Sequence, residues 1–272
     1  MAKISRLAVF AACALVICLI AGLFLRGADR GKARIRPPEE DRAAPARETR
    51  ELGDAKIAIV LDDFGYSMNN IKTLFGISAP LTLSVLPNLP YSARIAKEAD
   101  ARGFEIILHL PLEPLEETLP LERGTLMVEM SGEESAGLLA EAIECVPGIK
   151  GVSNHMGSRA TGDRDFMRGV FEELKKRELY FLDNLVTDES VCGDAASETG
   201  ICLGRRDVFL DNSPDEEYIK RQVLEAADVA DKTGRAIAVG HDRASTIKVL
   251  AEAIPELEKE GFEFVYLSEL VR

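Results

Sequence analysis

The chain has 272 residues, 46 acidic against 33 basic side chains, a formal net charge of −13 and no tryptophan. The charge is uneven: residues 1–50 hold 10 Lys/Arg against 5 Asp/Glu, net +5, and the remainder is net −18. So acidic a remainder, with no basic stripe laced with aromatics, excludes nucleic acid and anionic membrane surfaces as partners and favours a neutral or cationic substrate.

Leu7–Leu25 is a run of 19 uncharged residues between Lys3/Arg6 and Arg26. At about 1.5 Å per residue it nearly spans a bilayer core of roughly 30 Å. Residues 1–26 therefore read as a transmembrane signal anchor. A cleaved signal peptide is the competing reading, but its apolar stretch is normally about 7–15 residues and ends in a small-x-small site. Basic residues flank both sides, so their distribution does not settle orientation. A short tail followed by a large exported domain is the ordinary arrangement. The expected location is the cytoplasmic membrane with the domain facing the periplasm or cell exterior; cleavage would give an exported soluble protein. Residues 27–54, rich in Arg, Glu, Ala and Pro without apolar periodicity, read as a disordered linker. Residues 55–272 remain for one globular unit, ample for a single core.

That unit alternates strand and helix patterns. Strands are predicted at Ile57–Leu61, Leu81–Leu86, Phe104–Leu108, Gly151–Ser153, Tyr180–Leu182, Asp207–Leu210, Ala236–Val239 and Phe262–Tyr266. Helices are predicted at about Ser67–Phe75, Tyr91–Arg102, Glu133–Cys145, Asp165–Arg177 and Ser245–Leu257, with another opened by a Ser213 cap and Pro214 at its first position. Residues 110–130, with three prolines, form a long irregular stretch of the kind that is often functional. The rhythm gives an α/β fold with a parallel sheet, most simply a distorted or incomplete (β/α) barrel of about seven strands. Cys192 and Cys202 could pair outside the cytoplasm; two small buried thiols are the alternative.

The chain has three histidines, and His109, His155 and His241 each follow a strand pattern. A fourth strand ends in Asp62-Asp63. Strand C-termini of a parallel α/β fold open on one face, where ligands bind. Adjacent residues leaving a strand point in different directions, so one carboxylate can bind a metal while its neighbour faces the substrate water. Asp63, His109 and His155 make one carboxylate and two imidazoles, a catalytic rather than a closed structural metal set. Glu113, four residues after His109, could be a fourth ligand or orient a histidine. Asn154 and Arg159 flank His155 in NHMGSR, and Gly157 permits close backbone approach. His241 could protonate a leaving group opposite Asp62, or be a third histidine ligand. Asp183 and Asp211, at two further strand ends, could orient His241, hold sugar hydroxyls or cap the next segment. Tyr66, Tyr91 and Phe64 are the aromatics available to stack on a sugar ring.

The segments IAIVLDDFG, EIILHLPLEP, GVSNHMGS, YFLDN, RDVFLDN and AVGHDR, in that order, resemble the divergent polysaccharide deacetylase family. This is a distant branch of the polysaccharide deacetylases, which include the family-four carbohydrate esterases. The resemblance covers about Lys56–Arg272. It implies a distorted (β/α) barrel, a divalent metal, usually zinc, and hydrolysis of N- or O-acetyl groups on an oligo- or polysaccharide. By position it implies Asp62 as general base, Asp63 as metal-binding Asp, His109 as the first histidine of an H-x-x-x-H motif and His241 as general acid. Glu113 stands where that motif has its second histidine, and His155 is inferred to take the vacant metal position. The alternative is a catalytically weak envelope protein that binds a glycan or a partner on the same scaffold.

Overall fold

The structure, a computed structural model, describes residues 55–271. The expected anchor and linker lie outside the described residues. Among the described residues no helix is long and apolar enough to cross a membrane.

Strands and helices alternate as expected. The strands are β1 (Ala55–Phe64), β2 (Thr82–Val85), β3 (Glu105–Leu112), β4 (Gly151–Met156), β5 (Tyr180–Asp183), β6 (Leu203–Arg205), β7 (Val208–Phe209), β8 (Arg235–His241) and β9 (Phe262–Val265). Between them run α1 (Ile71–Leu74), α2 (Ser92–Asp100), α3 (Gly132–Cys145), α4 (Arg164–Lys176), α5 (Cys192–Thr199), α6 (Glu216–Thr233) and α7 (Ala244–Lys259). The sheet has nine strands in the order β6-β5-β4-β3-β2-β1-β8-β7, with β9 paired to β1. Eight strand patterns are legible in the sequence, against about seven expected for the barrel; the ninth strand, β6, is only three residues long and leaves no readable period.

Two apolar layers follow from strand alternation. On one face, Ile57, Ile59 and Leu61 of β1 pack with helix residues such as Leu139, Phe171 and Leu250. On the other, Ala58 and Val60 cluster with Ile107, Leu182, Ile237, Val239 and Val265. Residues of β1 and β5 lie four strands apart in the order, so they meet only because the sheet curls on itself. The curl is an incomplete barrel: β6 and β7 end the order on opposite sides, yet Arg206 and Asp207 alone separate them in the chain. The seam is crossed by the chain rather than by a ladder.

Gly151 shows how tightly the wall packs. A Cβ there would sit 2.3 Å from the Tyr180 ring, and the Tyr180 hydroxyl is anchored 2.8 Å from Glu105 Oε1. Gly151→Ala is expected to cost about 1–3 kcal/mol in urea unfolding, the usual range for overpacking.

Three local expectations are corrected. The helix expected at Ser67–Phe75 is confined to α1, four residues long. α6 is capped not by Ser213 but by Asp215, whose carboxylate accepts from the Tyr218 amide at 2.8 Å. The Cys192–Cys202 staple is not formed: both thiols are free, Cys192 buried in α5 and Cys202 exposed. Burial pushes the Cys192 thiol up to about 12, with the Asp183 charge adding to the effect.

Candidate metal centre

Each site residue is delivered by a strand end. The β1–β2 register slips between Leu61 and Phe64, where the Asp pair lies. Asp63 adopts φ 67°, a left-handed conformation uncommon outside glycine and typical of strained functional positions. The adjacent carboxylates thereby part. Asp62 is buried at the β1 end, in register with His241 of β8, while the Asp63 side chain stays about one-third exposed.

Asp63 Oδ1 lies 3.3 Å from His109 Nε2 and 3.1 Å from His155 Nδ1, and the two ring nitrogens are 3.2 Å apart. This is a nearly equilateral triangle of potential ligand atoms. Tetrahedral coordination at about 2.0–2.2 Å requires ligand atoms roughly 3.3–3.5 Å apart. Asp63 Oδ1 is buried and has no partner of hydrogen-bond geometry, although both imidazoles are close. An orphaned carboxylate oxygen facing two imidazole nitrogens fits a divalent cation. Burial acts to raise the Asp63 pKa, but His109 and His155 outweigh it and hold the carboxyl well below the usual carboxylate range.

The surroundings orient these groups. His109 Nδ1 lies 2.9 Å from Ser153 Oγ, and Ser153 Oγ lies 2.7 Å from Ser84 Oγ. With Nδ1–H donated to Ser153, Nε2 presents its lone pair to the triangle. Ser153→Ala is expected to weaken cation affinity about 10–100-fold without unfolding the protein, measured by competition with a chromophoric chelator.

Asp62 is held from the other side. Asn184 Nδ2 donates to Asp62 Oδ2 at 2.8 Å, and Asn154 fixes Asn184 by accepting its backbone amide at 2.9 Å. Asp62 Oδ1 lies 3.6 Å from His109 Nδ1 and is buried without a hydrogen bond. Burial raises the Asp62 pKa; His109 opposes the rise and the Asp63 charge adds to it.

His241 enters from β8. Asp211 grips it twice, accepting from Nδ1 at 2.8 Å and from its backbone amide at 2.9 Å. Thr246 Oγ1 donates to Asp211 Oδ2 at 2.6 Å. His241 Nε2 is left 3.8 Å from Asp63 Oδ2. Burial disfavours the charged ring, but Asp211 first and then Asp63 and Asp62 outweigh it, so the His241 pKa is raised.

The remaining expected residues play other parts. Glu113 is not among the clustered ligand atoms: its Oε1 accepts from Arg159 Nη1 at 2.6 Å and its Oε2 from the Val128 amide at 2.7 Å. Arg159 also bonds Glu129 at 3.0 Å, so the pair ties the β3 and β4 loops together. Asp183 accepts from the Leu185 amide and from Ser190 Oγ, which is loop capping. Phe64 is fully buried, whereas Tyr66 is 51% exposed with its hydroxyl bonded to Glu122. Ser84, Ser153, Asn184 and Arg206 were not singled out from the sequence. Arg206 reaches the Asn184 carbonyl at 2.7 Å, joining the ends of β6 and β5. Serines and asparagines become visible only once register places them beside a histidine or aspartate.

Comparison with known proteins bears on what the centre does. The sequence profile described as divergent polysaccharide deacetylase matches residues 59–271. The uncharacterized protein YibQ of Escherichia coli is 37% identical over 202 residues, 74% of this chain. The match spans 63% of YibQ, under two thirds of its length. The crystal structure of the uncharacterized protein ATU2773 from Agrobacterium tumefaciens is 26% identical with a TM-score of 0.77, covering 82% of this chain and 91% of that one. The peptidoglycan deacetylase PdaC of Bacillus subtilis, at 13% identity and a TM-score of 0.50, covers 79% and 89% of the two chains and shares the fold alone.

Proposed function

The chain belongs to the divergent polysaccharide deacetylase family, and from that premise we propose that it hydrolyses acetyl groups from an N- or O-acetylated carbohydrate outside the cytoplasm. The observation that carries this reading is the triangle of Asp63, His109 and His155, with its orphaned carboxylate oxygen. A divalent cation of the zinc kind, when bound there, supplies Lewis acidity toward the acetyl carbonyl and acidifies water.

The chain's own groups do the proton work. Asp62 is a suitable general base: Oδ2 is fixed by Asn184, Oδ1 has a free lone pair, and burial raises its proton affinity. It takes the proton of the attacking water. His241 is a suitable general acid, because Asp211 holds Nδ1 and leaves the Nε2 proton directed to the Asp63 side of the site. It protonates the departing sugar nitrogen or oxygen. Asn154 keeps Asn184 on Asp62, and the Glu113–Arg159 pair holds the two loops that frame His155.

Acetate release from a panel of acetylated oligosaccharides, with and without chelator, tests the proposal. Chelator-sensitive release supports it. No release from any member by metal-loaded protein replaces it with the binding-protein reading.

Location is the second part of the proposal. If residues 1–26 anchor the chain, full-length protein fractionates with membranes and resists carbonate extraction. Removing Met1–Leu25 is then expected to yield soluble, folded protein. Full-length chain in the soluble fraction would count against an anchor, and a new N-terminus near residue 28 would show a cleaved signal instead.

A further inference from the structure

Arg206 is one of the two residues that join β6 to β7, and it is half-buried. Three of its groups go to one turn. Its backbone amide donates to the Asp183 carbonyl at 3.1 Å, its Nε to the Asn184 carbonyl at 2.7 Å and its Nη2 to the Leu185 carbonyl at 3.1 Å. A single residue thus holds three successive carbonyls where the chain leaves β5. Burial lowers the Arg206 pKa, against the opposing pull of the Asp183, Asp62 and Asp207 charges, and an arginine so placed stays charged.

The turn needs holding. Leu185 has φ 49°, a left-handed conformation that few residues other than glycine adopt. Such a conformation persists only where its surroundings fix it. The Leu185 amide is bound by Asp183 Oδ1 at 2.9 Å, and Arg206 fixes the carbonyls on either side of the Leu185 Cα. Asn184 stands in this turn, and its Nδ2 holds Asp62 Oδ2 at 2.8 Å. The place of the Asp62 carboxylate therefore depends on a turn that Arg206 clamps.

The same side chain reaches toward His241. The guanidinium carbon lies 4.8 Å from the centre of the Phe209 ring. The Phe209 and His241 rings meet edge-on, 5.2 Å apart at 78°. Asp211 fixes the His241 ring at Nδ1, and Phe209, backed by Arg206, fixes its side. A planar fork can serve two adjacent carbonyls and a ring face at once; a lysine ammonium is a single point of charge on a flexible stem.

We infer that Arg206 is a positioning residue for the hydrolysis: it holds Asn184 on Asp62 and backs Phe209 against His241, so that base and acid keep a fixed spacing. This rests on the deacetylase reading of the centre, in which those two residues move the protons.

The test uses purified full-length protein loaded with zinc, with acetate release, metal content and backbone hydrogen exchange read on the same preparations. Arg206→Ala and Arg206→Lys are expected to keep the ion and to lower kcat about 10–100-fold with KM little changed, the scale on which small misplacement of reacting groups acts. Should Arg206→Ala fail to fold, Arg206→Lys carries the same test. In either variant the amides of Asn184 and Leu185 are expected to exchange faster. Arg205→Ala, which removes the neighbouring exposed charge, is expected to change neither turnover nor exchange. Combining Arg206→Lys with Asn184→Ala is expected to cost less than the product of the two separate losses, as residues acting through one contact do. Phe209→Leu is expected to lower kcat as well. Full kcat in Arg206→Lys, unchanged exchange at Asn184 and Leu185, strictly multiplicative losses in the double variant, or full kcat in Phe209→Leu each overturn the inference. No acetate release from the zinc-loaded parent protein overturns the deacetylase reading instead, and the exchange measurement still decides whether Arg206 clamps the turn.

Discussion

Asp62→Asn is expected to retain the fold and the cation while acetate release falls by about 10²–10⁴-fold, the usual contribution of a general base. The substitution keeps the side-chain shape and removes the charge and the basic lone pair. Asn184 can still hydrogen-bond the new amide oxygen, so the surrounding contacts survive. His241→Ala is expected to lose activity on the same scale with the cation still bound, because Nε2 is 3.8 Å from Asp63 Oδ2 and outside the triangle of ligand atoms. Metal analysis and acetate release on the same preparations separate the outcomes. Loss of the ion in His241→Ala would make His241 a ligand and reopen the place of His155. Full activity in both variants, with metal retained, would remove Asp62 and His241 from the proton chemistry.

The second large effect is on the cation itself. The folded chain is expected to retain about one divalent ion after gentle purification, and His109→Ala and His155→Ala are expected to lose most of it. Either change leaves two donor atoms where the triangle had three. His109→Ala also strands Ser153, whose hydroxyl otherwise connects the ring to Ser84. Unchanged metal content in both variants would sink the assignment of Asp63, His109 and His155. Asp62→Asn again serves as the comparison: its ion should stay, so a global loss of structure cannot be mistaken for loss of a ligand.

The legible parts of this chain are those where one period dominates. The runs before Asp62, His109 and His241 are continuous apolar strands buried on both faces, so their ends, and the polar residues on them, stand out. The histidine and aspartate positions followed from that, and the triangle they form is a matter of register. Less legible was the stretch from Cys192 to Arg205. α5, with sequence CGDAASET, has little apolar contrast, and β6 holds only three residues. The place of Glu113 was left open for a different reason. Its spacing from His109 suits a metal ligand, but β3 runs on to Leu112, and the loop beyond it is folded back by the Arg159 and Val128 contacts. Strand extension past the histidine is set by pairing with β4, which no local pattern announces. Asp183 and Asp211 look alike in sequence, each followed by asparagine, yet one caps a loop and the other grips His241. Their difference lies in which strand stands beside them.

The seam between β6 and β7 bears on how the protein behaves when crowded. An incomplete barrel should expose two strand edges, each a row of unpaired amides and carbonyls able to template another chain. Here the edges are three and two residues long, and only two residues join them in the chain. Asp207 accepts from the Ile237 amide at 2.8 Å, and Arg206 gives its amide to the Asp183 carbonyl at 3.1 Å, so the joining residues are tied to the neighbouring strands β8 and β5. A foreign strand finds too short a template on either side for stable addition. The fold thereby gains protection against edge-to-edge aggregation without completing its ladder.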